Sequence, residues 1–384
     1  MPALPAGRPP YTPPPMLSSR SIAVALLLAT AAPAAACDEK PAAPSAPATD
    51  KPAATTTPPS AEAPKGRPYD PTQLAVFAAL PEKIERPDNL LTDDKVAVGR
   101  QLYFDTRLSR GGDVSCNTCH DVTKSGAGEA AIAEGTRNAK GTRNAPTIFN
   151  AAGNLAQGWD ARGALIEDFL VPHAAEASVM NAGEKRIVDT VSSIPAYAAA
   201  FKKAFPDDKG VITGASVGKA IAAYTRKLLT PGRWDKFVAG DASALTDEEK
   251  LGLGAFMDAN CTTCHAGKYV GAAQNQKLGV AKPWPGNADV GRFGITKQEV
   301  DRYVFKVPTL RNVVKTGPYL HDGSVASLEE IVKQMARFQV GKELTDAQTK
   351  SIVTYLGALS GDAPKDLIKK PDLPPSGPKT PKPE

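Results

Sequence analysis

The sequence predicts an all-α fold made of two similar domains with long loops, and three observations carry that expectation. Apolar residues recur at helical spacing, as in Val217, Ile221, Tyr224 and Leu228. Several such stretches open on capping boxes, and no run of alternating apolar and polar residues reads as a strand. One set of short motifs occurs twice along the chain.

Taken in order, the first 37 residues read as an export signal. Arg8 and Arg20 precede an apolar stretch, Ile22 to Ala32, that is too short for a mature membrane span and ends in Ala34-Ala35-Ala36-Cys37. Residues 1–15 do not resemble the charged start of such a signal, so Met16 is the expected beginning. Cys37 leaves two readings, a lipidated cysteine that tethers the protein to a membrane, or simple secretion. Either places the protein in the periplasm. Residues 38–68, rich in Pro, Ala, Thr and Ser, read as a disordered linker.

Thr92-Asp93-Asp94 caps a helix running to about Phe104. Thr246 to Glu249 forms a capping box ahead of Leu251, Leu253 and Phe256. Ser327 to Glu330 forms a second, and Thr345 to Gln348 a third, before Ile352, Val353 and Leu356. Residues 362–384, rich in Pro and Lys, read as a disordered tail.

The repeat organises the rest. Leu91-Thr92-Asp93-Asp94 matches Leu245-Thr246-Asp247-Glu248, each ahead of a Cys pair. Pro146-Thr147-Ile148-Phe149-Asn150 matches Pro308-Thr309-Leu310-Arg311-Asn312, and each run reaches an Asp, Asp160 or Asp322, after 14 residues. This register sets Trp159 opposite His321. Aligning Ile166-Glu167-Asp168 with Leu328-Glu329-Glu330 sets His173 opposite Met335. The expected domains are residues 69–235 and 236–361, divided around Pro231-Gly232 and Gly240-Asp241.

The chain has 384 residues, 42% of them hydrophobic and 23% charged, as in ordinary soluble proteins. A net charge of +5 without any basic run interleaved with aromatics gives no footprint for nucleic acid. Besides Cys37, the cysteines form two pairs, in Cys116-Asn117-Thr118-Cys119-His120 and Cys261-Thr262-Thr263-Cys264-His265. In an oxidising compartment such pairs could be disulfides. A zinc site would need further ligands nearby, and the chain has only 4 His. Cys-x-x-Cys-His behind an export signal reads instead as covalent attachment of haem c, once in each domain. The two thiols bond the vinyl groups of one macrocycle, and the adjacent His becomes an axial ligand of the iron. The expected architecture is therefore two cytochrome c-like haem domains.

The sixth iron ligand sets each haem's role. Met335 offers a thioether in the second domain, though a Met is also an ordinary core filler. His173 reads as a ligand, as a proton shuttle, or as a plain His after Pro172. Trp159 reads as a buried core Trp or as an electron relay between haems. His321 reads as a structural His on a turn.

The chain resembles the bacterial di-haem cytochrome c peroxidases and their relatives, the methylamine-utilisation di-haem proteins, over about residues 70–360. Besides both haem motifs, the resemblance rests on the runs 102–109, 143–147, Trp159-Asp160-Ala161-Arg162, 193–197, Gly291-Arg292-Phe293, 307–312 and Pro318-Tyr319-Leu320-His321-Asp322-Gly323. It implies a periplasmic enzyme reducing hydrogen peroxide to water. The N-terminal haem would be the peroxide-reducing centre, with His120 proximal. The C-terminal haem, with His265 and Met335 as axial ligands, would take electrons from a small cytochrome c or copper protein. Trp159 would lie between the haems. A calcium ion would be held near Asn144, Thr316 and Pro318, and a homodimer is the common assembly.

Two departures qualify the resemblance. The family carries a His on the loop after the first haem motif, yet no His lies between His120 and His173, and Thr136 stands near the expected place. The family's distal Glu precedes a Met, yet Val179 precedes Met180 here. His173 and Glu176 are the candidates to handle protons instead. Two other readings keep the haems: oxidation of a residue on a partner protein, as in the methylamine-utilisation relatives, and a non-catalytic electron carrier, should His173 close the first iron. Those relatives often carry Tyr where this chain has Met335.

Overall fold

The computed structural model describes residues 68–384. The expected signal segment, Cys37 and nearly all of the expected linker lie outside the described residues. The described part is mostly helical, and none of its helices is long and apolar enough to cross a membrane.

The helix Asp93–Phe104 begins where Thr92 accepts from the Lys95 amide, with Asp93 and Asp94 in the first turn. Its buried face, Val98, Leu102, Tyr103 and Phe104, packs on the helix Gly214–Arg226. Gly99 makes that crossing close. A side chain there would run into the Ala220 carbonyl. The helix Ile166–Ala175 packs on the same partner. Further along, Asp247–Asp258, opened by the Thr246–Glu249 capping box, packs against Asp346–Ala358, opened by the Thr345–Gln348 box. Gly252 lies against the Ser351 carbonyl as closely.

These helices form two apolar clusters. One gathers Val98 to Leu228. The other gathers Trp234 to Leu359 together with Phe77, whose ring meets Trp234 edge-on at 5.1 Å. The start of the described chain thus packs with its C-terminal half. The end of the chain does the reverse: Ala363, Leu367 and Ile368 pack on the first cluster.

Two expectations need correction. Residues 362–384 are not a loose tail but a strap across the first cluster. Tyr224 donates to the Leu367 carbonyl at 3.0 Å, Gln101 to Asp372 at 3.0 Å, and the Glu384 amide to the Arg110 carbonyl at 2.9 Å. Composition suggested disorder because prolines cannot join helices or sheets. The same prolines stiffen an extended strap, and its main-chain carbonyls accept from side chains instead. The helical reading also missed a two-stranded antiparallel ribbon, Asn275–Lys277 with Val304–Lys306. Three-residue strands are too short to show alternation.

The two matching runs make the same local bonds. Thr147 Oγ1 donates to the Ser125 carbonyl at 2.7 Å and accepts from Phe149 N at 3.2 Å. Thr309 Oγ1 donates to Tyr269 at 2.8 Å and accepts from Arg311 N at 3.1 Å. Asn150 and Asn312 both take the left-handed conformation, with φ of 61° and 62°. Both then converge on one hydroxyl: Thr230 Oγ1 accepts from Asn150 Nδ2 at 2.8 Å and from Asn312 Nδ2 at 2.9 Å.

Thr230 is fully buried, so Thr230→Val leaves two amide donors unpaired, each costing about 1–3 kcal/mol. The urea midpoint should fall with the m-value unchanged. An unaltered midpoint would show that the knot carries no stability.

Candidate haem site

Both Cys-x-x-Cys-His segments line one largely apolar cavity of about 430 Å³. No disulfide joins Cys116, Cys119, Cys261 or Cys264. Burial pushes Cys116 and Cys261 up to about 12, so they are neutral. Burial likewise pushes His120 and His265 down to about 4, which leaves neutral imidazoles, the form that binds iron.

His120 is fixed from two sides. Its Nδ1 lies 2.8 Å from the Pro146 carbonyl, which selects the Nδ1–H tautomer and leaves the Nε2 lone pair for a ligand. Tyr103 Oη donates to the His120 carbonyl at 2.6 Å. The matching His265 Nδ1 is buried without a hydrogen-bond partner, and the carbonyls of Val270 and Pro308 favour its proton. Among the described residues no group of three or more His, Cys, Asp or Glu could hold a metal ion. Paired thiols, each followed by a neutral, oriented imidazole in one cavity, fit two covalently held haems.

The other residues singled out from the sequence come to the same cavity. Met335 ends the helix Leu328–Gln334 and starts a π turn, Met335–Gln339. Such turns are frequent at functional sites. Trp159 donates through Nε1 to the Asn144 carbonyl at 2.9 Å, and its ring stands edge-on to His321 at 6.4 Å. Asn144, Thr316 and Pro318 line the cavity together. Asn144 Nδ2 donates to the Ala130 carbonyl at 2.9 Å, and Thr316 Oγ1 donates to Val313 at 3.2 Å.

His173, on the helix Ile166–Ala175, stacks on Phe169 at 4.9 Å. Its Nδ1 lies 3.0 Å from Glu176 Oε1, and Arg162 Nη2 lies 3.2 Å from the same oxygen. Imidazole, carboxylate and guanidinium thus form a chain on the cavity wall. Burial pushes the Glu176 carboxyl up, but the hydrogen bond and charge of His173 and the charge of Arg162 outweigh it and hold it low.

The sequence matches the family described as "Di-haem cytochrome c peroxidase" over residues 93–243. It is 39% identical over 304 residues to the cytochrome c551 peroxidase of Nitrosomonas europaea, covering 79% of this chain and 89% of that protein. It is 37% identical over 315 residues to the cytochrome c551 peroxidase of Pseudomonas aeruginosa, covering 80% and 90%. The structure is similar to that of a MauG-like protein associated with microbial copper homeostasis, with a TM-score of 0.65, 25% identity, and coverage of 76% of this chain and 97% of that one. The chain belongs to the di-haem cytochrome c peroxidase family. It is therefore an enzyme of that class, and membership implies two haem c groups.

Against that family pattern, Thr136 does not face the cavity. It is buried and donates to Asp113 Oδ1 at 2.6 Å. Val179 and Met180 do line the cavity, so the position of the family's distal Glu is apolar here. Sequence reasoning missed two cations. Arg143 forks to Asp160 Oδ2 at 2.6 Å and to Asp289 at 2.6 and 2.9 Å. Burial disfavours its charge, but the two carboxylates hold its pKa above the ordinary arginine value. Lys306 is 6% exposed and lines the cavity. Arg143 lay inside a quoted motif, but Asp289 is far off in sequence. Nothing in Val304-Phe305-Lys306 separates a cavity lysine from a surface one.

The Glu176 carboxylate ionises more readily folded than unfolded, so its stabilising contribution is complete above the ordinary glutamate value and fades as pH falls through its lower folded value. The stability gap between wild type and Glu176→Gln should therefore narrow as pH falls below the ordinary glutamate value. Unfolding midpoints across an acid series measure it. A gap that stays constant on acidification would contradict the assignment.

Proposed function

We propose that this protein reduces hydrogen peroxide to water in the periplasm, taking two electrons and two protons per peroxide. The electrons come from a small cytochrome c or copper protein. The observation that carries this reading is one cavity holding both Cys-x-x-Cys-His segments, the thioether of Met335 and the His173–Glu176–Arg162 chain.

In this reading residues 69–235 and 236–361 are two haem units related by the repeat, with the exchanges of terminal segments described above. The matched bonds around Thr147 and Thr309 support it. Cys116 and Cys119 would hold the first haem covalently, and His120 would bind its iron. Cys261 and Cys264 would hold the second, with His265 and Met335 as the residues to bind its iron. The haems supply the redox chemistry. The chain supplies proton handling and positioning. His173 accepts a proton from one peroxide oxygen and returns it to the other. Glu176, kept ionised, orients the ring through Nδ1, and Arg162 holds Glu176 in place. Trp159, on the wall of the cavity that both Cys-x-x-Cys-His segments line, would serve as the electron relay.

A calcium ion near Asn144, Thr316 and Pro318 would rest on amide and main-chain oxygens, since no cluster of carboxylates is present among the described residues. Cys37 carries the lipid anchor in the tethered form of the protein, and the assembly is a homodimer. A second reading, oxidation of a residue on a partner protein, draws on the likeness to the MauG-like structure. Met335 speaks against it, because a thioether ligand suits an iron that relays single electrons.

His173→Ala should lower kcat for peroxide about 10²–10⁴-fold, the usual range for a lost acid–base group. Steady-state turnover with reduced cytochrome c measures it. Met335→Leu should lower the midpoint potential of one haem, since a thioether raises it. Two low-spin haems in every redox state, with no peroxide turnover, would leave an electron carrier instead.

A further inference from the structure

Two haems bring carboxylates into an apolar cavity, and each buried carboxylate needs a countercharge. The cations lining the cavity are Arg143, Arg162, Lys277 and Lys306. Arg143 is taken up by Asp160 and Asp289. Arg162 is taken up by Glu176, at 3.2 Å, with Asp160 at 3.7 Å. Lys277 is exposed to solvent. Lys306 alone among them is buried, at 6% exposure, and its ammonium has no hydrogen-bond or ion-pair partner among the described residues.

Its place is set by the ribbon. Lys306 ends the second strand, paired with Asn275, and its amide donates to the Trp159 carbonyl at 2.8 Å. The next two residues, Val307 and Pro308, continue along the wall to His265, whose proton the Pro308 carbonyl favours. The amine therefore belongs to the second haem's side, at the end nearest Trp159.

We propose that Lys306 is a positioning residue that binds a carboxylate of the C-terminal haem through its ammonium, beside Trp159. A buried lysine without a partner sheds its proton readily, and burial alone pushes this one down to about 8. A carboxylate against it restores the charged form and neutralises the pair. The ion pair would hold that carboxylate and offset one negative charge near the iron. This inference rests on the functional reading above, in which both haems are attached.

The test uses the full holoprotein. Pyridine haemochrome spectra count attached haems, and redox titration gives both midpoint potentials. Lys306→Gln and Lys306→Met should keep two haems but shift the potential of the Met335-ligated haem downward, because the uncovered carboxylate stabilises the oxidised iron. Lys306→Arg should restore most of the shift. Unchanged potentials in both neutral variants, with two haems attached, would overturn the role of Lys306 alone. So would a shift confined to the other haem, or a failure of Arg to rescue. Wild-type protein holding fewer than two covalent haems would overturn the functional reading and this inference with it. Should one neutral variant misfold, the other still reads the potential.

Discussion

The contact between His120 Nδ1 and the Pro146 carbonyl governs the geometry around the first Cys pair. An imidazole free to spin would offer either nitrogen to a ligand. This bond settles the tautomer and the ring plane at once. The carbonyl can do so only if its own segment is rigid. Thr147 ties it back to Ser125, and Asn150, in a left-handed turn, ties it to Thr230. The run 308–312 repeats the arrangement beside His265 and reaches the same Thr230. What looks in the sequence like a duplicated pentapeptide is, physically, a pair of brackets anchored on one shared hydroxyl, the first of which orients His120.

Charge in the cavity follows a second constraint, that buried ions must be paired. Arg143 joins Asp160 to Asp289, and Arg162 joins Asp160 to Glu176. The carboxylate beside His173 is thereby anchored, through two guanidinium groups, to the stretch around Asp289 that leads to the ribbon. His173, Glu176 and the Asp160 that follows Trp159 thus share one electrostatic frame.

Much of this was legible in the sequence, and the physical reason is locality. Thr92, Thr246, Ser327 and Thr345 cap helices where they were expected to, because a cap is made within four residues. The Cys-x-x-Cys-His runs are equally local. Trp159, His173 and Met335 were picked out by register and resemblance, and all three line the cavity. What escaped notice joins distant parts of the chain or has no pattern of its own. The Arg143–Asp289 pair closes a loop of 146 residues. The strap looked disordered because its bonds come from side chains of Gln101, Arg100 and Tyr224 far upstream.

The strap bears on the departures from the family pattern. It ends on the turn at Ser109–Asp113, where Glu384 bonds Arg110 through main chain and side chain. The same turn is held by Thr136, whose hydroxyl accepts from Gly111 N, and by the Met180 carbonyl, which accepts from Arg110 N. The loop after the first Cys pair is therefore stitched down by a small hydroxyl residue, with Glu384 on the turn it binds. On the proposed reading, the first haem's open face is then governed from the other wall, by the helix Ile166–Ala175. Its terminal His173 and Glu176 are bonded to each other rather than to the loop. On the proposed reading proton handling rests on this helix end, and a helix end braced by Arg162 is a stiff platform for a group that must meet a small substrate at one distance.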